Sequence, residues 1–183
     1  QKTIQRQMLG LPLDRLLLYV GRFAPAKNLP ALLLALEACR QAGVTNLSLA
    51  LVGDGPDRDR VERLIQRRQI TGVFLFGFQK HSELPRFYGV SDALVLPSTD
   101  EPWGLVVNEA MNFALPVIVS DKVGCAGDLV RPGENGFIVE HESASALSDA
   151  IAALVSDARL RSAFGAESLR IVEEYSIEAC ADG

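Results

Sequence analysis

Residues 93–120 read ALVLPSTDEPWGLVVNEAMNFALPVIVS. Two short apolar runs, ALVLP (93–97) and PVIVS (116–120), bracket a longer segment. Pro102 and Gly104 mark a junction from loop to helix, and the spacing predicts a helix from about Trp103 to Ala114. Both flanking runs are continuous rather than alternating, as expected of strands covered on both faces. Strand, helix and strand of that kind make a parallel βαβ unit.

The same alternation extends in both directions. Strands are expected at 16–20 (LLLYV), 47–52 (LSLALV), 73–76 (VFLF) and 136–139 (GFIV). A helix from about Asn28 carries Leu29, Leu32, Leu33 and Leu36 on one face, with Asn28 as its expected N-cap and Pro30 in the tolerated first turn. A second helix runs to about Arg68, with Val61, Leu64 and Ile65 inward. Ser82 is expected to cap a short one through Tyr88, and two more cover about 143–155 and 157–174. The sum is a single doubly wound α/β domain, 1–183, with a mostly parallel sheet.

Its composition excludes several classes of function. The 183 residues suffice for a core without metal or disulfide support, and 48% hydrophobic with 22% charged residues is an ordinary globular balance. A net charge of −5 argues against a general nucleic-acid or membrane-surface binder. Three scattered cysteines, Cys39, Cys125 and Cys180, point to a reducing, cytoplasmic setting without disulfides. Two histidines in loop-like surroundings give no metal site, and no apolar run is long enough to span a bilayer. The start, QKTIQRQMLG, lacks an initiator methionine and a signal-peptide core, so the chain reads as an excised domain.

In such a sheet, ligands bind beyond the carboxyl ends of the strands. The loop GRFAPAKN (21–28) brings Gly21, where the backbone can approach a ligand closely, and two cations, Arg22 and Lys27, ahead of a helix N-terminus. They suit a diphosphate, though two solvated surface cations fit equally well. The turn GDGP (53–56) lacks the three-glycine dinucleotide fingerprint, and GRFAPAKN lacks the Walker pattern. In EPWGLVVNEA (101–110), Glu101 precedes a helix whose Gly104 and Leu105 amides face an anion. That helix is apolar nearly all round and is expected to be largely buried, so the carboxylate of Glu109 needs a partner. It reads as a ligand for hydroxyl groups, as half of a buried ion pair, or as a structural hydrogen bond. An anionic centre with hydroxyls on either side is the layout of a nucleoside diphosphate sugar, although a phosphosugar or another nucleotide is not separated from it on these grounds.

Seven motifs in order carry a resemblance: VGRFAPAKN (20–28), LVGDGP (51–56), FLFGF (74–78), SDALVLPS (91–98), EPWGLVVNEA (101–110), LPVIVSD (115–121) and GENGFIV (133–139). The chain resembles the C-terminal, donor-binding half of retaining glycosyltransferases of family 4, which have the two-domain GT-B fold. The resemblance implies a Rossmann-like half of that fold, with a missing N-terminal half that binds a glycan, lipid or small-molecule acceptor. It implies that Arg22 and Lys27 bind the donor diphosphate and that Glu101 contacts the transferred sugar. Gly104 and Leu105 would offer amides to phosphate oxygens, Glu109 would hold the ribose, and Gly77, Phe78 and Gln79 would lie against the base. No cofactor or catalytic metal is expected. The chain alone is expected to transfer little sugar, and the full-length hexosyltransferase to be cytoplasmic or peripheral to a membrane. Where relatives often carry a Gly-Gly pair and a Glu, VGCAGDLV (123–130) has Gly124 and Asp128. The competing readings are a non-catalytic nucleotide or sugar module and a nucleotide-sugar epimerase, for which Glu101 is the one acid–base candidate.

Overall fold

The computed structural model describes residues 2–174. Six strands form one parallel sheet: β1 (Arg15–Val20), β2 (Leu47–Val52), β3 (Val73–Gly77), β4 (Ala93–Leu96), β5 (Val117–Ser120) and β6 (Gly136–Val139), in spatial order β3-β2-β1-β4-β5-β6. Residues 16–20, 47–52, 93–96 and 117–120 are all buried, which is why these segments read as unbroken apolar runs.

The helices are α1 (Lys2–Met8), α2 (Leu29–Gln41), α3 (Arg58–Arg68), α4 (Leu84–Val90), α5 (Leu105–Asn112), α6 (Ala126–Leu129), α7 (Ala144–Ser156) and α8 (Ala158–Glu174). From β1 the chain moves outward in one direction to β2 and β3, then returns to place β4 on the other side of β1. Right-handed crossovers in opposite directions put α2 and α3 on one face and α5 on the other. Helix α7 packs on α2 and α8 on α5, completing the two layers. The strand order reverses between β1 and β4, and the crevice at that switch point is where a doubly wound sheet holds ligands.

Four local expectations are corrected. Asn28 is not a side-chain cap: it stands at φ 52° in the left-handed region, and its amide donates to the His141 carbonyl at 3.4 Å. Ser82 lies inside a single 3-10 turn, His81–Glu83, and α4 starts two residues later with Pro85 in its first turn. Helix α5 begins at Leu105 rather than Trp103, because Gly104 adopts φ 96° and sets the start. Nor is α5 buried all round. Val107, Ala110 and Met111 face the core, while Leu105 is 68% exposed.

Helix α1 was not legible as an element. It is anchored by Arg6, whose buried guanidinium donates to the carbonyls of Val90 and Asp14 and to the Asp92 carboxylate at 2.7 Å. Asp92 also accepts the Leu16 amide at 2.8 Å and faces Lys2. Burial by itself would raise its carboxyl, but the Leu16 amide and the two cations outweigh that and hold it below its ordinary value of 3.8.

Candidate functional site

The crevice is built from the loops after β1 and β4. The β1 loop is fixed by the Gly21 amide on the Val52 carbonyl at 3.0 Å and by the buried Tyr19 hydroxyl on the Arg22 carbonyl at 3.0 Å. It then turns through Pro25–Lys27, where the Ala26 carbonyl accepts the Thr99 amide at 2.7 Å. That bond ties the two loops together. Across the tie, Lys27 Nζ lies 2.5 Å from Glu101 Oε2, with side chains only 19% and 17% exposed.

Glu101 is held through its backbone. Its amide donates to the Lys122 carbonyl at 3.2 Å, and its carbonyl accepts the Gly124 amide at 2.8 Å. The approach is close enough that a Cβ on Gly124 would fall 1.9 Å from the Pro102 carbonyl oxygen. The loop after β5 thereby clamps the loop after β4. Just beyond, buried Gly104 opens α5, whose first free N–H groups sit beside Glu101.

On the β2–β3 side lies a cleft of about 370 Å³ whose walls include Gly21, Arg22, Asp54, Phe78, Gln79 and Leu84. The Gln79 side chain is engaged, donating to the Phe76 carbonyl and accepting from Arg86, both at 2.8 Å. Gly77 is not a wall of this cleft, and its carbonyl accepts the Gly53 amide at 2.9 Å.

Glu109 sits one turn into α5, 28% exposed, with Oε2 accepting the Tyr88 hydroxyl at 2.5 Å and Oε1 3.7 Å from His81 Nδ1. A smaller cavity of about 180 Å³ opens over this carboxylate, walled by His81, Leu84, Tyr88, Asn112 and Phe113. Leu84 belongs to both cavities and joins them.

The arrangement is a strip along the carboxyl edge of the sheet. It comprises an apolar-walled cleft, the Glu109 carboxylate in the adjoining cavity, and a cation–carboxylate pair beside a helix N-terminus. Residues 1–170 match the family model of the glycosyl transferases group 1. The chain belongs to that family.

Among relatives, the D-inositol 3-phosphate glycosyltransferase of Rhodococcus opacus is 33% identical over 186 residues, covering 97% of this chain and 42% of that protein. An Anabaena protein solved in complex with UDP and glucose is 26% identical at a TM-score of 0.85, with 94% of this chain and 47% of that one aligned. The C-terminal domain of a group 1 family protein from Francisella tularensis shares the fold at a TM-score of 0.87 and 23% identity, covering 97% of this chain and 94% of that one. The chain thus corresponds to the C-terminal half of the GT-B fold, and it spans somewhat under half the length of the first curated relatives it matches.

Within this glycosyl transferase domain, the structure brings Lys27 and Glu101 into contact, puts Arg22, Phe78 and Gln79 on the cleft wall, and sets Glu109 against Tyr88. Sequence reasoning missed Tyr88. The one signal was a tyrosine in an apolar helix, whose hydroxyl, once buried, requires a partner. It also missed a cavity of about 520 Å³ on the β5–β6 side, with Asn28, Thr99, Ser120, Glu140, His141 and Glu142 in its wall. There the His141 backbone amide, at 2.8 Å, is the main cause holding the Asp121 carboxyl down at about 2, and the His141 ring adds a second bond at 2.9 Å. Cys125 is buried, and burial pushes its thiol up to about 12, as suits a packing residue rather than a nucleophile. Cys180 lies outside the described residues. Among the described residues, no helix is long and apolar enough to cross a membrane.

Proposed function

We propose that this chain is a single donor-binding domain of a retaining glycosyltransferase that moves a hexosyl unit from a nucleoside diphosphate sugar to an acceptor hydroxyl. The observation that carries the reading is the Lys27–Glu101 pair at the switch point, flanked by the α5 N-terminus. A diphosphate is the anion that a lysine, an arginine and free helix amides are equipped to take. The glutamate released from Lys27 then accepts hydroxyls of the sugar beyond the diphosphate.

Residue by residue, Arg22 and Lys27 hold the diphosphate, with Gly21 allowing close approach and the Gly104 and Leu105 amides completing the cradle. Phe78 and Gln79 line the cleft for the base, beyond Gly77. Glu109 takes the ribose hydroxyls and Glu101 the sugar. During transfer the bond between the anomeric carbon and the diphosphate oxygen breaks, and the diphosphate keeps the electron pair. Lys27, Arg22 and the helix end stabilise the charge that develops there. The acceptor oxygen bonds to the anomeric carbon on the face the diphosphate leaves, and its proton passes to a diphosphate oxygen. Acceptor binding belongs to the other half of the GT-B pair, so this domain by itself binds donor and transfers little.

The Anabaena relative bound to UDP and glucose supports the donor class. A thermal-shift and calorimetric panel of UDP-, ADP- and GDP-sugars, each beside its free diphosphate, tests the reading. One nucleotide series is expected to stabilise the domain, with a further increment from its sugar. No stabilisation by any member would refute it.

A further inference from the structure

The hydrogen bond between Tyr88 and Glu109 has no place in sugar transfer, yet it holds the carboxylate at the junction of the two cavities. We propose that Tyr88 is a positioning residue for ribose recognition: its hydroxyl fixes Glu109 Oε2, so that Oε1 is presented to the ribose diol. The inference rests on the donor reading above and extends it to a residue that acts through Glu109.

Three observations support it. First, the Tyr88 ring cannot swing away. It is buried at the end of α4 and stacks on Phe113 with centroids 5.5 Å apart and planes inclined by 26°. The hydroxyl therefore stays where the backbone of α4 puts it. Secondly, the bond is short and charge-assisted, at 2.5 Å, in a pocket where burial, and then Glu109 itself, disfavour loss of the phenol proton. Tyr88 is consequently a fixed donor over the whole working pH range. Thirdly, the two carboxylate oxygens differ. Oε2 is taken, whereas Oε1 meets the exposed His81 ring at 3.7 Å, beyond a normal hydrogen bond, and is the oxygen left to accept from a ligand. A glutamate with three free torsions would otherwise lose rotamer freedom on binding, and the tyrosine removes that cost beforehand.

The test compares UDP with 2′-deoxy-UDP and 3′-deoxy-UDP in calorimetry on the 183-residue chain. The unaltered chain is expected to prefer UDP by about tenfold, the size of a hydrogen bond to a charged acceptor. In Tyr88→Phe that preference should fall toward unity, with affinity for the deoxy analogues unchanged. Glu109→Gln should erase it as well, and combining the two substitutions should add nothing. Phe87→Leu is the packing control: it loosens α4 against Phe76, away from the Tyr88–Glu109 contact, and lowers the melting temperature while leaving the preference intact. A Tyr88→Phe chain that melts as the parent does and keeps the full preference for ribose overturns the role of Tyr88 alone. Loss of the preference in Phe87→Leu would also overturn it, by making the effect one of packing. An unaltered chain that binds UDP and both analogues equally overturns the assignment of Glu109. No binding of UDP, ADP or GDP by the unaltered chain overturns both, and if ADP or GDP binds in place of UDP the same comparison is read with its own deoxy analogues.

Discussion

Replacing Glu101 by glutamine should affect the two parts of a donor in opposite directions. Lys27 is held by Glu101 at 2.5 Å in a crevice where both side chains are less than a fifth exposed. A diphosphate must draw Lys27 away from that partner. A fully exposed pair is worth up to about 1 kcal/mol, and partial burial strengthens the attraction while adding a desolvation cost. About 1 kcal/mol is therefore a fair measure of what the free diphosphate spends in breaking the pair. In Glu101→Gln the neutral amide holds Lys27 less firmly, so the free nucleoside diphosphate should bind up to about fivefold more tightly. The sugar donor loses hydroxyl bonds to a charged acceptor, worth about 1.5–3 kcal/mol. The ratio of the two affinities should then shift against the sugar by roughly 10- to 150-fold. Calorimetry with the nucleotide and sugar donor selected by the panel reads both numbers on one protein. Equal weakening of both ligands would refute the reasoning, because Glu101 would then be supporting the loop rather than exchanging partners.

Two further outcomes follow from the frame around the site. Gly124→Ala places a methyl group 1.9 Å from the Pro102 carbonyl and strains the 2.8 Å bond to the Glu101 carbonyl, so it should cost about 2–3 kcal/mol and weaken sugar-donor binding. A variant with parental melting temperature and donor affinity would show that the β5 loop does not set Glu101. Asp92→Asn should destabilise the domain by roughly 2 kcal/mol at neutral pH, through the lost charge opposite Arg6 and Lys2. A carboxyl held below its ordinary 3.8 contributes stability that is complete above that value and disappears as pH falls through the folded value. Denaturation from pH 7 downward should therefore show the gap between parent and variant narrowing below about pH 4, and a constant gap would contradict the linkage.

The sheet was legible in the sequence because its cause is local. Strands covered on both faces must be apolar throughout, and each of LLLYV, ALVLP and PVIVS says so by itself. The edge strands β3 and β6 are covered less completely, but VFLFG and GFIV remain apolar enough to read the same way. The boundaries were less legible where a single backbone torsion decides them. Asn28 looked like a cap by residue type, yet it takes a left-handed conformation to join the Pro25–Lys27 turn to α2. Helix α1 was hidden for another reason. Seven residues cannot hold a helix by propensity, and what holds this one is Arg6 reaching 84 residues along the chain to Val90.

The candidate site divided in the same way. The candidate residues were present in order, and loop position placed them at the carboxyl edge of the sheet. Which groups meet was not legible, because each meeting depends on tertiary distance. Lys27 and Glu101 are 74 positions apart, and Tyr88 and Glu109 are 21 apart on different helices. The two glutamates also turn out to be held differently. Glu101 has a carboxylate paired with the Lys27 cation on a firmly placed backbone. Glu109 has a carboxylate held by the hydroxyl of a buried tyrosine. A group that must exchange a cation for sugar hydroxyls needs freedom at its tip and rigidity at its base, which the bonds from Lys122 and Gly124 to the Glu101 backbone supply. A group that only grips an unreacting ribose gains by being fixed before the ligand arrives. On the proposed donor reading, the Lys27–Glu101 contact would mark the reacting end of the crevice and the Tyr88–Glu109 contact its anchoring end.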